Sequence, residues 1–97
     1  MPTYISLIKY TSKGMDAIKD SPKRLEAARE IFQKLGGQLK EFYLLMGEYD
    51  AIAIGEAPND EAIAKAMLTI GSKGAVQTHT MRAFTESEYR KILGSLP

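Results

Sequence analysis

The sequence predicts an α+β domain: a four-stranded antiparallel sheet with two helices on one face and an extra helix at the C-terminus. Three observations predict it. Segments of strand and helix character follow one another as β-α-β-β-α-β. The two halves repeat loosely as strand, helix, strand. Between them stands only a short turn, Gly47-Glu48, where glycine allows the positive φ of a tight strand-to-strand connection. A chain of 97 residues holds one such domain, residues 1–97, with a modest core.

Tyr4 to Tyr10 is rich in β-branched and aromatic residues, which marks the first strand. Alternation puts Ile5 and Leu7 on one side and Tyr4, Ser6, Ile8 and Tyr10 on the other. Thr11 to Asp20 contains Gly14 and reads as a loop with a short helical turn. Ser21-Pro22 opens the first long helix, with serine as the expected cap and proline at the first helical position. Leu25, Ala28, Ile31, Phe32 and Leu35 form its apolar stripe, and Gly36-Gly37 ends it. Gln38 to Met46 reads as the second strand and Tyr49 to Glu56 as the third. Pro58-Asn59 opens the next helix, with Asn59 as cap and Asp60 and Glu61 in the favourable first turn. Ile63, Ala66, Met67 and Ile70 make its stripe. Ala75 to Phe84 is the fourth strand, with Thr78, Thr80 and Arg82 on one face and Gln77, His79 and Met81 on the other. Thr85-Glu-Ser-Glu88 matches a capping box and starts the last helix, lined by Tyr89, Ile92, Leu93 and Leu96.

This order is that of a ferredoxin-like sandwich. The middle strands then pose a question. Ile52 and Ile54 lie on one side of the third strand, with Ala51, Ala53 and Gly55 on the other. Phe42, Leu44 and Met46 lie on one side of the second strand, with Leu39, Tyr43 and Leu45 on the other. Both faces are largely apolar, yet helices cover only one. A second copy of the same chain is the simplest cover for the other face.

Composition excludes several classes. Lys and Arg number 13 against 12 Asp and Glu, a net charge of +1. A dedicated nucleic-acid or anionic-membrane binder carries a clear positive excess, so neither partner is expected. Cysteine is absent and histidine occurs once. That removes disulfides, thiol nucleophiles and the usual zinc ligand sets, so no metal and no cofactor are expected. No secretory signal and no run of ~20 apolar residues is visible, which makes the cytoplasm the expected compartment.

Several short motifs run through the chain in order: Ile8-Lys9-Tyr10-Thr11 with Gly14, Ile18-Lys19-Asp20-Ser21-Pro22 with Arg24, Leu35-Gly36-Gly37, Gly47 with Tyr49-Asp50, Glu56-Ala57-Pro58, and Gly74 with Val76, Thr78, Thr80 and Ala83-Phe84. With these the chain resembles the GYD domain family, small bacterial and archaeal proteins of largely unassigned function. Glu48 stands between the glycine and the tyrosine at a position that varies in the family pattern. The resemblance implies a ferredoxin-like fold of the dimeric α+β barrel type, in which two sheets pack face to face. Gly47-x-Tyr49-Asp50 with Gly74-x-Val76-x-Thr78-x-Thr80 is also similar to the effector-binding domain of leucine-responsive regulators, which bind amino acids at oligomer interfaces. The first strand begins at residue 3 or 4, so no helix-turn-helix is expected ahead of it.

Each candidate site residue has two roles to weigh. His79 in a barrel lumen is a general base or a ligand donor; on an edge strand it is an ordinary half-exposed residue. Asp50, just after the turn, anchors a ligand amine or orients His79; alternatively it accepts backbone amides of the turn. Tyr4, Tyr10 and Tyr43 are expected on the face turned to the dimer interior, as packing residues or as partners of a polar ligand. Ala51, Ala53 and Gly55 beside them admit a close partner or hollow out a pocket. Lys9, Thr11, Ser12, Lys13 and Gly14 form a basic strand-to-loop junction, an anion site or a solvated loop, which Arg24 and Arg82 either join or leave for surface ion pairs.

These residues support three readings. A small-molecule-binding homo-oligomer ranks first, its ligand near the sheet and dimer interface, between sheet and helices or at subunit edges, with Tyr10, Thr11, Tyr43, Asp50 and His79 as ligand contacts. A small cofactor-free enzyme, monooxygenase- or isomerase-like, ranks second. It would abstract a proton with His79, Asp50, Tyr10 and Tyr43 as its catalytic candidates. A structural assembly subunit ranks third.

Overall fold

The computed structural model describes residues 1–97. Strand β1 (Thr3–Tyr10) is followed by a short helix α1 (Ser12–Asp16) and a 3-10 turn (Ile18–Asp20). Helix α2 (Ser21–Lys34), strands β2 (Gln38–Leu44) and β3 (Ala51–Glu56), helix α3 (Asp60–Ser72), strand β4 (Val76–Ala83) and helix α4 (Glu86–Gly94) complete the chain. The sheet order is β2-β3-β1-β4, antiparallel throughout. This is the predicted four-stranded α+β sandwich with its extra C-terminal helix.

Local chemistry accounts for most helix ends. Asn59 Oδ1 accepts from the Ala62 amide at 2.9 Å, a side-chain N-cap. Thr85 and Glu88 form the full capping box. Gly36 and Gly74 adopt φ of 83° and 81°, the left-handed region open to glycine just past a helix. Ser21 departs from its expected role. The 3-10 turn runs straight into α2, so the Ser21 amide donates to the Ile18 carbonyl and α2 has no side-chain cap.

The second strand also differs from the prediction. Lys40 is a β-bulge, since Leu39 pairs with Gly55 while Glu41 pairs with Ile54. The extra residue puts Leu39 and Phe42, rather than alternate residues, on one side. The predicted tight turn is a longer connection, Leu45–Asp50, held by the Leu45 amide on the Asp50 carbonyl at 2.9 Å.

Tyr4 and Tyr10 face the helices, which corrects their expected place on the face turned to a partner sheet. Tyr4 is 3 % exposed and packs with Phe32, Leu39, Ala57, Ile63 and Ala66. Its hydroxyl donates to Asp60 Oδ1 at 2.5 Å. A buried phenol needs an acceptor, and the first turn of α3 supplies one only on this side. Ser6, on the same face, shares a 2.8 Å hydrogen bond with Thr80. Burial and then the Asp60 carboxylate push the Tyr4 phenol above its ordinary value. A raised native value favours the neutral form, so this contribution is intact below the unfolded value of about 10 and is lost as pH rises through the native one. The stability gap between wild type and Tyr4→Phe, read from urea midpoints, is therefore expected to hold at neutral pH and to narrow above about pH 10.

Nine apolar side chains are buried, and five of them are alanine: Ala51, Ala53, Ala57, Ala66 and Ala75. Phe32 is the one large side chain that α2 buries, worth about 2–3 kcal/mol by area. A core this short of volume leaves space between α2 and the sheet. The opposite sheet face has no helix over it. Ile5, Leu7, Ile52 and Ile54 are half-buried there, while Tyr43 and Met81 are 54 % and 45 % exposed. Helix α4 is tied back by Arg82 and Glu88 at 3.8 Å, and its stripe of Tyr89, Ile92 and Leu93 is exposed.

Candidate functional site

The space under α2 is a cavity of about 410 Å³, within the range of small-molecule sites. Its floor is the helix-facing side of the sheet: Ile8 and Tyr10 of β1, Ala53 of β3, Phe42 of β2, and Val76 and Thr78 of β4. Leu25, Ala28 and Ile31 of α2 roof it, and Ile70 of α3 closes one side. The small residues Ala28 and Ala53 make the room. The polar groups gather at one end, where α2 begins and α3 stops: Asp20, Ser21, Lys23, Arg24 and Lys73.

The segment over that end is held by backbone chemistry. Arg24 Nη1 donates to the Ala17 carbonyl at 2.9 Å and Nη2 to the Gly14 carbonyl at 3.2 Å. Thr11 Oγ1 accepts from the Gly14 amide at 3.1 Å, capping α1, and donates to the Gly74 carbonyl at 2.6 Å. Lys13 Nζ donates to the Lys73 carbonyl at 3.0 Å. These bonds join α1 to the α3–β4 connection.

The five residues singled out as ligand contacts are distributed over both faces of the sheet. Tyr10 lines the cavity, with its hydroxyl 3.5 Å from Ser21 Oγ. Thr11 lies beside it and engages backbone. Asp50 Oδ2 accepts from the Tyr10 amide at 2.9 Å while its own amide donates to the Ile8 carbonyl at 2.9 Å. Asp50 thus clasps the end of β1, the turn-like role weighed for it from sequence. Asp50→Ala is expected to leave the Tyr10 amide unpaired and to lower the urea midpoint by the equivalent of about 1–3 kcal/mol. Asp50→Asn keeps an acceptor and should recover most of that loss.

His79 and Tyr43 stand on the open face at opposite edges, β4 and β2. The His79 ring meets the edge of Tyr49 with centroids 5.5 Å apart, and Lys9 Nζ lies 5.4 Å from the Tyr49 centroid. No hydrogen bond joins His79 to Asp50. The Tyr43 hydroxyl donates to Glu41 at 3.1 Å, and this bond and the carboxylate charge raise its phenol above the ordinary value. The proton-abstracting set of His79, Asp50, Tyr10 and Tyr43 is therefore not assembled at one point within a chain. Sequence reasoning missed Tyr49 as the neighbour of His79. It also missed Lys23 and Lys73 as rim residues, since only the fold brings the start of α2 to the end of α3.

A βαββαβ sandwich with a half-open space under its first long helix and an open apolar sheet face defines a ferredoxin-like α+β domain. The chain belongs to the GYD domain family, whose profile matches residues 4–93. A glutamine synthetase and cystathionine β-lyase binding protein of Thermus thermophilus is 33% identical over 84 residues, covering 86% of this chain and 88% of that one. A solved structure from Thermus thermophilus is similar at TM-score 0.56 and 26% identity, over 88% of this chain and 95% of that one. The fold is also that of a feast or famine regulatory protein of M. tuberculosis solved with L-methionine, at TM-score 0.67 and 16% identity. That match covers 88% of this chain and 51% of the regulator, so this chain spans about half its length.

Proposed function

We propose that this chain is a cytoplasmic small-molecule-binding module that works as a homodimer. The observation that carries the reading is the cavity of about 410 Å³ under α2, apolar along its length and polar at one end. That is the make-up of a site that buries a ligand and fixes its orientation with a few polar groups. Tyr10 is the proposed contact from β1, with Ser21 opposite it across 3.5 Å. The half-exposed Ile5, Leu7, Ile52 and Ile54 support the dimer, because an apolar sheet face gains by covering itself with a second copy. In that arrangement His79 and Tyr43 stand at the dimer interface, as proposed secondary contacts.

Docking to enzymes is a second reading. The relative that is 33% identical is named for binding two metabolic enzymes, and the exposed stripe of α4 offers a surface for such contact. Ligand binding and docking are compatible if occupancy of the cavity governs α2. Catalysis ranks below both, since the candidate acid–base groups lie on opposite faces of the sheet.

Native mass spectrometry of gently purified protein tests the principal reading. A mass of two 10.7 kDa subunits with a retained small molecule supports it. A retained molecule that is still held after Ala28→Phe fills the cavity would sink the assignment to this space.

A further inference from the structure

The cavity has a charge as well as a shape. Three cations, Lys23, Arg24 and Lys73, stand at its polar end against one carboxylate, Asp20. None of the three has a carboxylate oxygen within salt-bridge distance; the ion pairs of this protein lie elsewhere. This is an unusual local excess in a chain whose net charge is only +1. Arg24 is already committed to two carbonyls, so its charge is fixed in place and its geometry serves the loop. Lys23 and Lys73 are exposed and free to turn toward an incoming group. Beyond them the lining is apolar, from Ile8 and Leu25 to Phe42.

We infer that the cavity takes an amphipathic organic anion, its apolar body lying under α2 and its anionic head at the rim beside Lys23 and Lys73. The inference rests on the small-molecule reading and adds the chemical class of the ligand. An apolar body draws its affinity from leaving water along the Ile8–Leu25–Phe42 path. The head selects by sign. An anion meets two mobile ammonium groups and a fixed guanidinium, whereas a cation meets them as repulsion. Tyr10 and Ser21 add hydroxyls that donate to a carboxylate oxygen.

Octanoate, octan-1-ol and octylamine share a chain length and differ in head charge, so isothermal titration with the three probes reads the inference directly. Octanoate is expected to bind about tenfold more tightly than octan-1-ol, the sum of a few partly exposed charge contacts, and octylamine more weakly than either. The octanoate preference should shrink as salt rises. The double variant Lys23→Gln/Lys73→Gln alters two exposed side chains and should keep the fold, checked by circular dichroism. It should remove most of the octanoate preference, leaving only what the fixed Arg24 guanidinium sustains, and leave octan-1-ol unchanged. Equal binding of octanoate and octan-1-ol to wild type would overturn the anionic head and leave the cavity as a neutral-ligand site. An octanoate preference undiminished in the double variant would overturn the assigned rim. Failure of all three probes, with no molecule retained in native mass spectrometry, would overturn both this inference and the reading beneath it.

Discussion

Gly14→Ala is expected to cost this domain about 3 kcal/mol or more, a loss near the top of what one methyl group does. A Cβ at Gly14 would lie 2.0 Å from the Ala75 carbonyl oxygen and 3.0 Å from its carbon. That oxygen is backbone and already accepts from the Thr11 amide at 3.1 Å, so it has nowhere to go. Relief requires α1 to lift from the start of β4, which breaks the Thr11 bonds to Ala75 and Gly74. In a domain of this size each kcal/mol moves the melting temperature by about 4–8 °C, so a fall of about 12 °C or more should appear in a thermal scan. Gly71→Ala is the control. It lies in α3 with no atom within 4 Å of its added methyl, and alanine is the better helix former, so a small gain is expected. Equal melting temperatures for Gly14→Ala and wild type would mean that α1 does not sit on β4 in solution.

The second large effect concerns the open sheet face. Ile52→Asp is expected to turn the proposed dimer into a monomer of 10.7 kDa, seen by light scattering at micromolar concentration. Ile52 sits on β3 opposite Leu7 of β1 and Tyr43 of β2, near the middle of the face. A carboxylate there is solvated in the monomer and desolvated in the dimer, with a penalty of several kcal/mol. That corresponds to about a thousandfold in the dissociation constant. The monomer should keep its fold, since Ile52 is only half-buried and points away from α2 and α3. Met46→Asp, in the exposed β2–β3 connection, should change nothing. A dimer that survives Ile52→Asp would move the interface to another surface, with the α4 stripe the next to test.

Much of the fold is legible in the sequence because its signals are local. Asn59 and Thr85-x-x-Glu88 declare helix starts within four residues, and Gly36 and Gly74 declare ends by the conformation that glycine tolerates. What is not legible depends on distant partners. In β1 both sides are apolar, so alternation alone does not say whether Tyr4 or Ile5 faces the helices. Asp60, 56 residues away, decides it by accepting the Tyr4 hydroxyl. The bulge at Lys40 shifts the face of every residue after it, and nothing in Leu39-Lys40-Glu41 announces an unpaired residue. Ser21 reads as a cap because Ser-Pro begins many helices; the preceding 3-10 turn makes the cap unnecessary. The cavity is hidden for the same reason as its rim. Its volume is the space that small residues on α2 and β3, Ala28 and Ala53, leave unfilled between their elements, and its charge is set by the meeting of Lys23 with Lys73.

The strand order β2-β3-β1-β4 has a consequence for how the chain reaches this structure. β1 is made first on synthesis, yet both its neighbours come late in the chain. The hairpin of β2 and β3 closes a short connection and pairs early at little entropic cost. β1 then waits, with Ile5 and Leu7 unpartnered, until β3 and finally β4 return to flank it. The register that joins Thr3 to Ala83 and Tyr10 to Val76 closes a loop that takes in both long helices and the hairpin. Folding should therefore be slower than in a helical bundle of equal length, with formation of the β1–β4 ladder setting the rate. Substitutions confined to that ladder, such as Thr80→Ala, would slow refolding, while equally destabilising changes on the exposed side of α2 would speed unfolding.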